Sequence, residues 1–143
     1  MASKKQSAGL VWNGPDLPRI PAGEYQATCV GSQGPDWCRQ YRRWSLRLEF
    51  ALLDAGQYVS AFFNFGDNPD GPAIGRKSRF FSAWVQANGE LPRKGQRMGM
   101  EVFMEGQLYT VRVQDARQSG TGTDKADAEV YSRITDILKV ERK

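Results

Sequence analysis

Four arginines, Arg39, Arg42, Arg43 and Arg47, fall within nine consecutive positions, and aromatic residues are interleaved with them. Trp37 and Tyr41 belong to the same stretch, and Tyr58 and Phe62 follow on the next one. Guanidinium groups neutralise phosphates while planar rings stack on bases, so the combination suits a flexible polyanion carrying flat bases. Like charges this close also repel one another unless something compensates. Arg112 adds a further cation of the same kind later in the chain. A structural reading stands beside this one: Trp37 and Tyr41 close the end of a sheet, and the arginines are simply solvated on its outer face.

Other chemistries find little support. The chain has no histidine, which removes the Ser-His-Asp triad, the Cys-His pair and every histidine metal ligand. Neither a Walker A pattern nor GxGxxG occurs. The two cysteines, Cys29 and Cys38, cannot form a metal cage alone and match no zinc spacing. Cys29 falls in an expected strand and Cys38 in an expected loop, so free thiols are the expectation. Asp67 and Asp70 resemble a metal pair, and with Glu49 they suggest a small nuclease as one rival. Asp and Asn also dominate turns for backbone reasons, and no third ligand is evident. No catalytic residue, metal or cofactor is therefore expected.

These side chains must be positioned by the elements around them. In the stretch from Arg43, the residues Trp44, Leu46, Leu48, Phe50 and Leu52 fall every second position and share one face of a strand. Arg43, Ser45, Arg47 and Glu49 take the other face. Trp44 is ambiguous between core and binding surface, though its alternation favours the core. After a turn at Asp54-Ala55-Gly56, Val59, Ala61, Phe63 and Phe65 alternate with Tyr58, Ser60, Phe62 and Asn64. An earlier strand begins at Gly23, and Gly31 and Gly34 break it. A loop from about Gln33 to Tyr41 then carries Trp37, Arg39 and Tyr41, with Arg42 at its edge.

Beyond the turn-forming GDNPDGPAIG the period changes. Phe80, Phe81, Trp84 and Val85 fall on one helical face, and Asn88-Gly89 stops the helix. Arg76, Lys77 and Arg79 near its start oppose the helix dipole, which suits solubility or a ligand better than helix stability. The segments from Met100 to Met104 and from Gln107 to Arg117 both alternate as strands, with Gly106 a turn or a kink between them. Residues 119–128 read as a mobile polar loop. A last strand runs from Val130 to Val140.

At 143 residues the chain fits a single domain, with residues 1–20 as an extended basic arm and 21–143 as the folded part. Trp12 in the arm is expected to pack back on the domain or on a partner. The net charge of +4 and a pI near 9.2 lean towards an anionic partner. With no secretory signal and no apolar run of membrane-spanning length, a soluble cytoplasmic protein is expected.

The expected order, three strands, a helix, then two or three strands, resembles the OB-fold, a mainly β Greek-key barrel of five to six strands with a helix between strands three and four. Such barrels bind oligonucleotides across strands two and three and the flanking loops. From Ile20 to Val140 the chain is similar to the small OB-type single-stranded DNA-binding proteins of phages and mobile elements. The similarity rests on PAGEYQATCVG, WSLRLEFALLDAGQYV, AWVQANG and YSRITDIL. It implies sequence-tolerant binding of single-stranded DNA, or of RNA, in replication, recombination or transfer of a mobile element. Further copies of the chain and replication or recombination proteins are the other implied partners. The chain ends Lys139-Val140-Glu141-Arg142-Lys143 instead of in the acidic recruiting tail typical of cellular relatives, which puts recruitment through such a tail in doubt. The main rival to nucleic-acid binding is a protein-interaction module, since interface hot spots favour the same residue types.

Overall fold

The alternation around Trp44 forms a strand, β2 (Arg43–Leu52), in which Leu46, Leu48, Phe50 and Leu52 are all buried. It pairs antiparallel with β1 (Gly23–Cys38) and with β3 (Tyr58–Asn64). In this computed structural model, residues 9–12, 17–54, 56–116 and 130–141 are described. The expected polar loop over 119–128 lies outside them. Two further strands, β4 (Leu108–Ala116) and β5 (Tyr131–Glu141), pair with each other, and β4 also pairs with β1. A parallel bridge between β3 and β5 at Ala61 and Ile134 closes the five-stranded sheet into a ring of order β1-β2-β3-β5-β4.

The helix forms where its period placed it, as α1 (Arg79–Asn88). Ser78 caps its start by accepting a hydrogen bond from the Phe81 N–H at 3.1 Å. Gly89 ends it at φ 90°, a left-handed conformation that favours glycine. Phe80, Ala83, Trp84 and Ala87 are buried, so the packed stripe is shifted from the expected one, and Phe81 and Val85 lie at its edge. Trp84 also donates its indole N–H to the Gly99 carbonyl at 2.9 Å.

Three expectations are corrected. β1 continues to Cys38, so the loop expected over 33–41 shrinks to a turn at residues 39–42. Gly31 and Gly34 do not end the strand; they lie at its two register shifts, where the extra residues bend it. Met100–Met104 is a short 3-10 helix, with Phe103 buried and its carbonyl accepting from the Tyr109 hydroxyl at 2.8 Å. Gly106 at φ 90° then turns the chain into β4. The segment just before β1 is anchored: Ile20 is buried, its N–H donates to Ser132 Oγ at 2.8 Å, and Pro18 accepts from the Ser132 N–H at 2.8 Å. Trp12, in contrast, is 74% exposed and so is not buried against the domain.

Candidate nucleic-acid interface

The outer face of β2 and β3 brings part of the expected set together. Arg47 stands directly across from Phe62 on one side and from Gln33 of β1 on the other. Its guanidinium is anchored: Nε donates to Ser60 Oγ at 2.6 Å, and Nη2 lies 3.6 Å from Glu49 Oε2. With only 18% of its side chain exposed, Arg47 is a fixed cation beside an aromatic ring, partly neutralised by a neighbouring carboxylate. Tyr58 lies on the same face but at the far end of β3, opposite Ala51, and is 55% exposed.

The turn joining β1 and β2 supplies the second group. Arg39 and Arg42 are exposed on it, and the Arg43 guanidinium lies 5.1 Å from the Tyr41 ring centroid. Arg42 has φ 52°, the one described non-glycine residue in positive φ. A turn position of this kind favours glycine or asparagine, so a cation is held there at a cost of about 1–2 kcal/mol. Tyr41, Arg42 and Arg43 line an open depression with Asn64, Gly66 and Asp67. Asp67 sets one carboxylate at the rim of this basic patch.

Trp37 and Arg112 do not join these two groups. Trp37 pairs in register with Trp44, whose side chain follows Leu46 and Leu48 onto the inward face, away from Arg43 and Arg47. The two indoles meet edge to face with centroids 5.8 Å apart. Trp44 also donates Nε1–H to the Asn68 carbonyl at 2.7 Å, which ties the loop after β3 under the hairpin. Trp37 thus lies against Trp44 at the end of the sheet. Arg112 sits on β4, which neighbours β1 and β5 but neither β2 nor β3, and its Nη1 meets Asp136 Oδ2 at 3.1 Å.

The ring also adds residues that were not anticipated for this face. Phe62 meets Tyr131 of β5 edge to face, with centroids 6.4 Å apart. Arg79 donates from Nη1 to the Phe62 carbonyl at 3.2 Å and lies 5.0 Å from the Phe63 ring centroid. Desolvation pulls its guanidinium below the ordinary range; Asp136 opposes that and Arg133 adds to it. Phe62, Arg79 and Arg133 share a cavity over Ile134, Thr135 and Asp136. One sequence signal bore on a single member of this group, the Arg79 cation at the start of α1 against its dipole; none brought it to β5.

No protein-family model matches the chain, and no curated protein matches its sequence. Among the described residues, no three of His, Cys, Asp and Glu gather as a metal site; Asp67 and Asp70 lie on the loop after β3, where Asn68 Oδ1 accepts from the Asp70 N–H at 3.0 Å. No helix among these residues is long and apolar enough to cross a membrane.

Proposed function

We propose that the chain binds single-stranded DNA with little sequence preference, through an OB-type barrel face and without catalysis. The observation that carries this reading is the pairing of cations with rings on one side of the sheet: Arg47 across from Phe62, and Arg43 against Tyr41 at the hairpin tip. A strand crossing from the tip to Phe62 meets guanidinium groups for its phosphates and ring faces for its bases, each stacked base contributing roughly 1–3 kcal/mol. The strand order β1-β2-β3-β5-β4, with α1 between β3 and β4, supports the OB reading, because such barrels present strands two and three to oligonucleotides. Duplex DNA binds more weakly in this reading, since its bases are hidden. The resemblance to phage and mobile-element proteins extends the proposal to cytoplasmic intermediates of replication, recombination or transfer.

The test is a fluorescence titration of a labelled single-stranded oligonucleotide at two salt concentrations, with duplex DNA and single-stranded RNA as competitors. Tight, salt-sensitive binding that duplex barely disturbs is the expected result. Absence of binding at low salt overturns the proposal and leaves the same aromatic face to a protein partner. Replacing Arg42 and Arg43 together should lower the salt slope by about 1.4, at roughly 0.7 per phosphate on a single strand.

A further inference from the structure

We infer that the gap between β3 and β5 is a seat for one phosphate of the bound strand, held between Arg79 and Arg133, with the adjoining base against Phe62 and Tyr131. This rests on the single-strand reading of the β2–β3 face and extends it around the ring onto β5.

Three independent features converge on the gap. The first is space: β3 and β5 pair only at Ala61 and Ile134, and a cavity lined by Phe62, Arg79, Arg133, Ile134, Thr135 and Asp136 opens beside that bridge. The second is charge. Arg79 occupies the first turn of α1, whose positive dipole end it opposes, and no acidic residue in that turn relieves it. Arg133 faces the same cavity, so two arginines line one small volume. Asp136 also lines it, but its Oδ2 is engaged elsewhere: it lies 3.1 Å from Arg112 Nη1 and accepts from Thr135 Oγ1 at 3.2 Å. One carboxylate shared among Arg79, Arg112 and Arg133 leaves positive charge in excess at the cavity.

The third feature is the ring pair. Phe62 and Tyr131 stand at 77°, so a base stacked on one ring and beside the other turns its edge to that second ring's face, an arrangement aromatic groups favour. Phe62 is also the residue opposite Arg47, which makes the seat continuous with the face already described. Phosphate, base and neighbouring phosphate would then find Arg47, Phe62 and Arg133 in turn.

Arg133 decides the matter, because it is exposed and carries less of the fold than Arg79, whose side chain holds the Phe62 carbonyl. Salt slopes of single-strand binding would be compared for the full chain, Arg133→Gln and Arg79→Gln, with thermal midpoints recorded for each. The expected result is a slope smaller by about 0.7 in Arg133→Gln with an unchanged midpoint. If the full chain binds and Arg133→Gln keeps the full slope, the seat is overturned while the β2–β3 face stands. If the full chain fails to bind at low salt, both fall together. A mononucleotide that competes as well as an oligonucleotide would reassign the cavity to a free nucleotide and overturn the seat as well.

Discussion

Trp37 stands edge-on to Trp44, with planes at 65°, on the opposite face of the β1–β2 hairpin from Arg43 and Arg47. The pair therefore braces the hairpin from beneath while the arginines remain above it. Trp37→Ala should lower stability by roughly 1–3 kcal/mol, since it removes a half-buried ring and an edge-to-face contact. The salt slope of nucleic-acid binding should stay as it was. Urea midpoints and a salt titration of the variant check both halves, and lost affinity without lost stability would return Trp37 to the interface.

Arg42 presents the reverse case. Its φ of 52° is strained for any residue with a Cβ, and relief of that strain is available to glycine. Arg42→Gly should gain stability by up to about 1 kcal/mol, once the entropy of the more flexible unfolded chain is deducted from the relieved strain. Single-strand affinity should fall at the same time. Opposite movement of thermal midpoint and affinity is the signature of strain kept for binding; a fall in both would make the conformation purely structural.

Gly34 governs where the hairpin points. At φ 101° a Cβ would lie 2.8 Å from the Ser45 carbonyl oxygen and 2.9 Å from the Asp36 nitrogen, and neither backbone atom can move away cheaply. Gly34→Ala should cost more than about 1 kcal/mol, measured by chemical denaturation. Because the tip cluster hangs from this bend, its affinity should drop further than the loss of stability alone explains.

The two thiols should separate by reactivity. Burial pushes Cys29 up to about 11 from an ordinary 9.0, with Glu49 adding to the rise and a hydrogen bond to Gly31 opposing it. At pH 8 a thiol reagent should label the half-buried Cys38 before Cys29. Between pH 9.0 and about 11 the unfolded thiol has lost a proton that the folded one retains. The folded state then binds more protons, so stability falls as pH rises through that window. Urea midpoints at pH 8 and pH 10.5 should fall further for the native chain than for Cys29→Ala.

Local patterns made much of this legible. β2 and α1 announce themselves through periods that burial then follows, as at Leu48, Phe50, Phe80 and Trp84. The side of Trp37 was hidden for a specific reason. Gln33 and Trp37 are separated by an even count and would share a face of a regular strand. The register shift between Gln33 and Asp36 inserts a residue, so Gln33 meets Arg47 while Trp37 meets Trp44. The short helix at Met100–Met104 was misread because alternation over five residues is too brief to separate strand from 3-10 turn.

Neighbours across the ring are a different matter, since they depend on contacts far apart in the chain. Arg112 does alternate outward between Val111 and Val113, yet nothing local places β4 away from β3. The same holds for Tyr131 beside Phe62, which meet only because β5 runs parallel to β3. The tip cluster was readable because its residues lie close in sequence; the cavity at Arg79 and Arg133 was not.

The bridge between Ala61 and Ile134 has a mechanical consequence. Every other junction in the ring is an antiparallel ladder of several residue pairs, whereas this one is a single clasp covered by α1. Unfastened there, the molecule becomes an open sheet of order β3-β2-β1-β4-β5 with its ladders intact. Separation at that junction would break one residue pair and the contacts α1 makes with β3 and β5, and it would leave every antiparallel ladder of the scaffold in place.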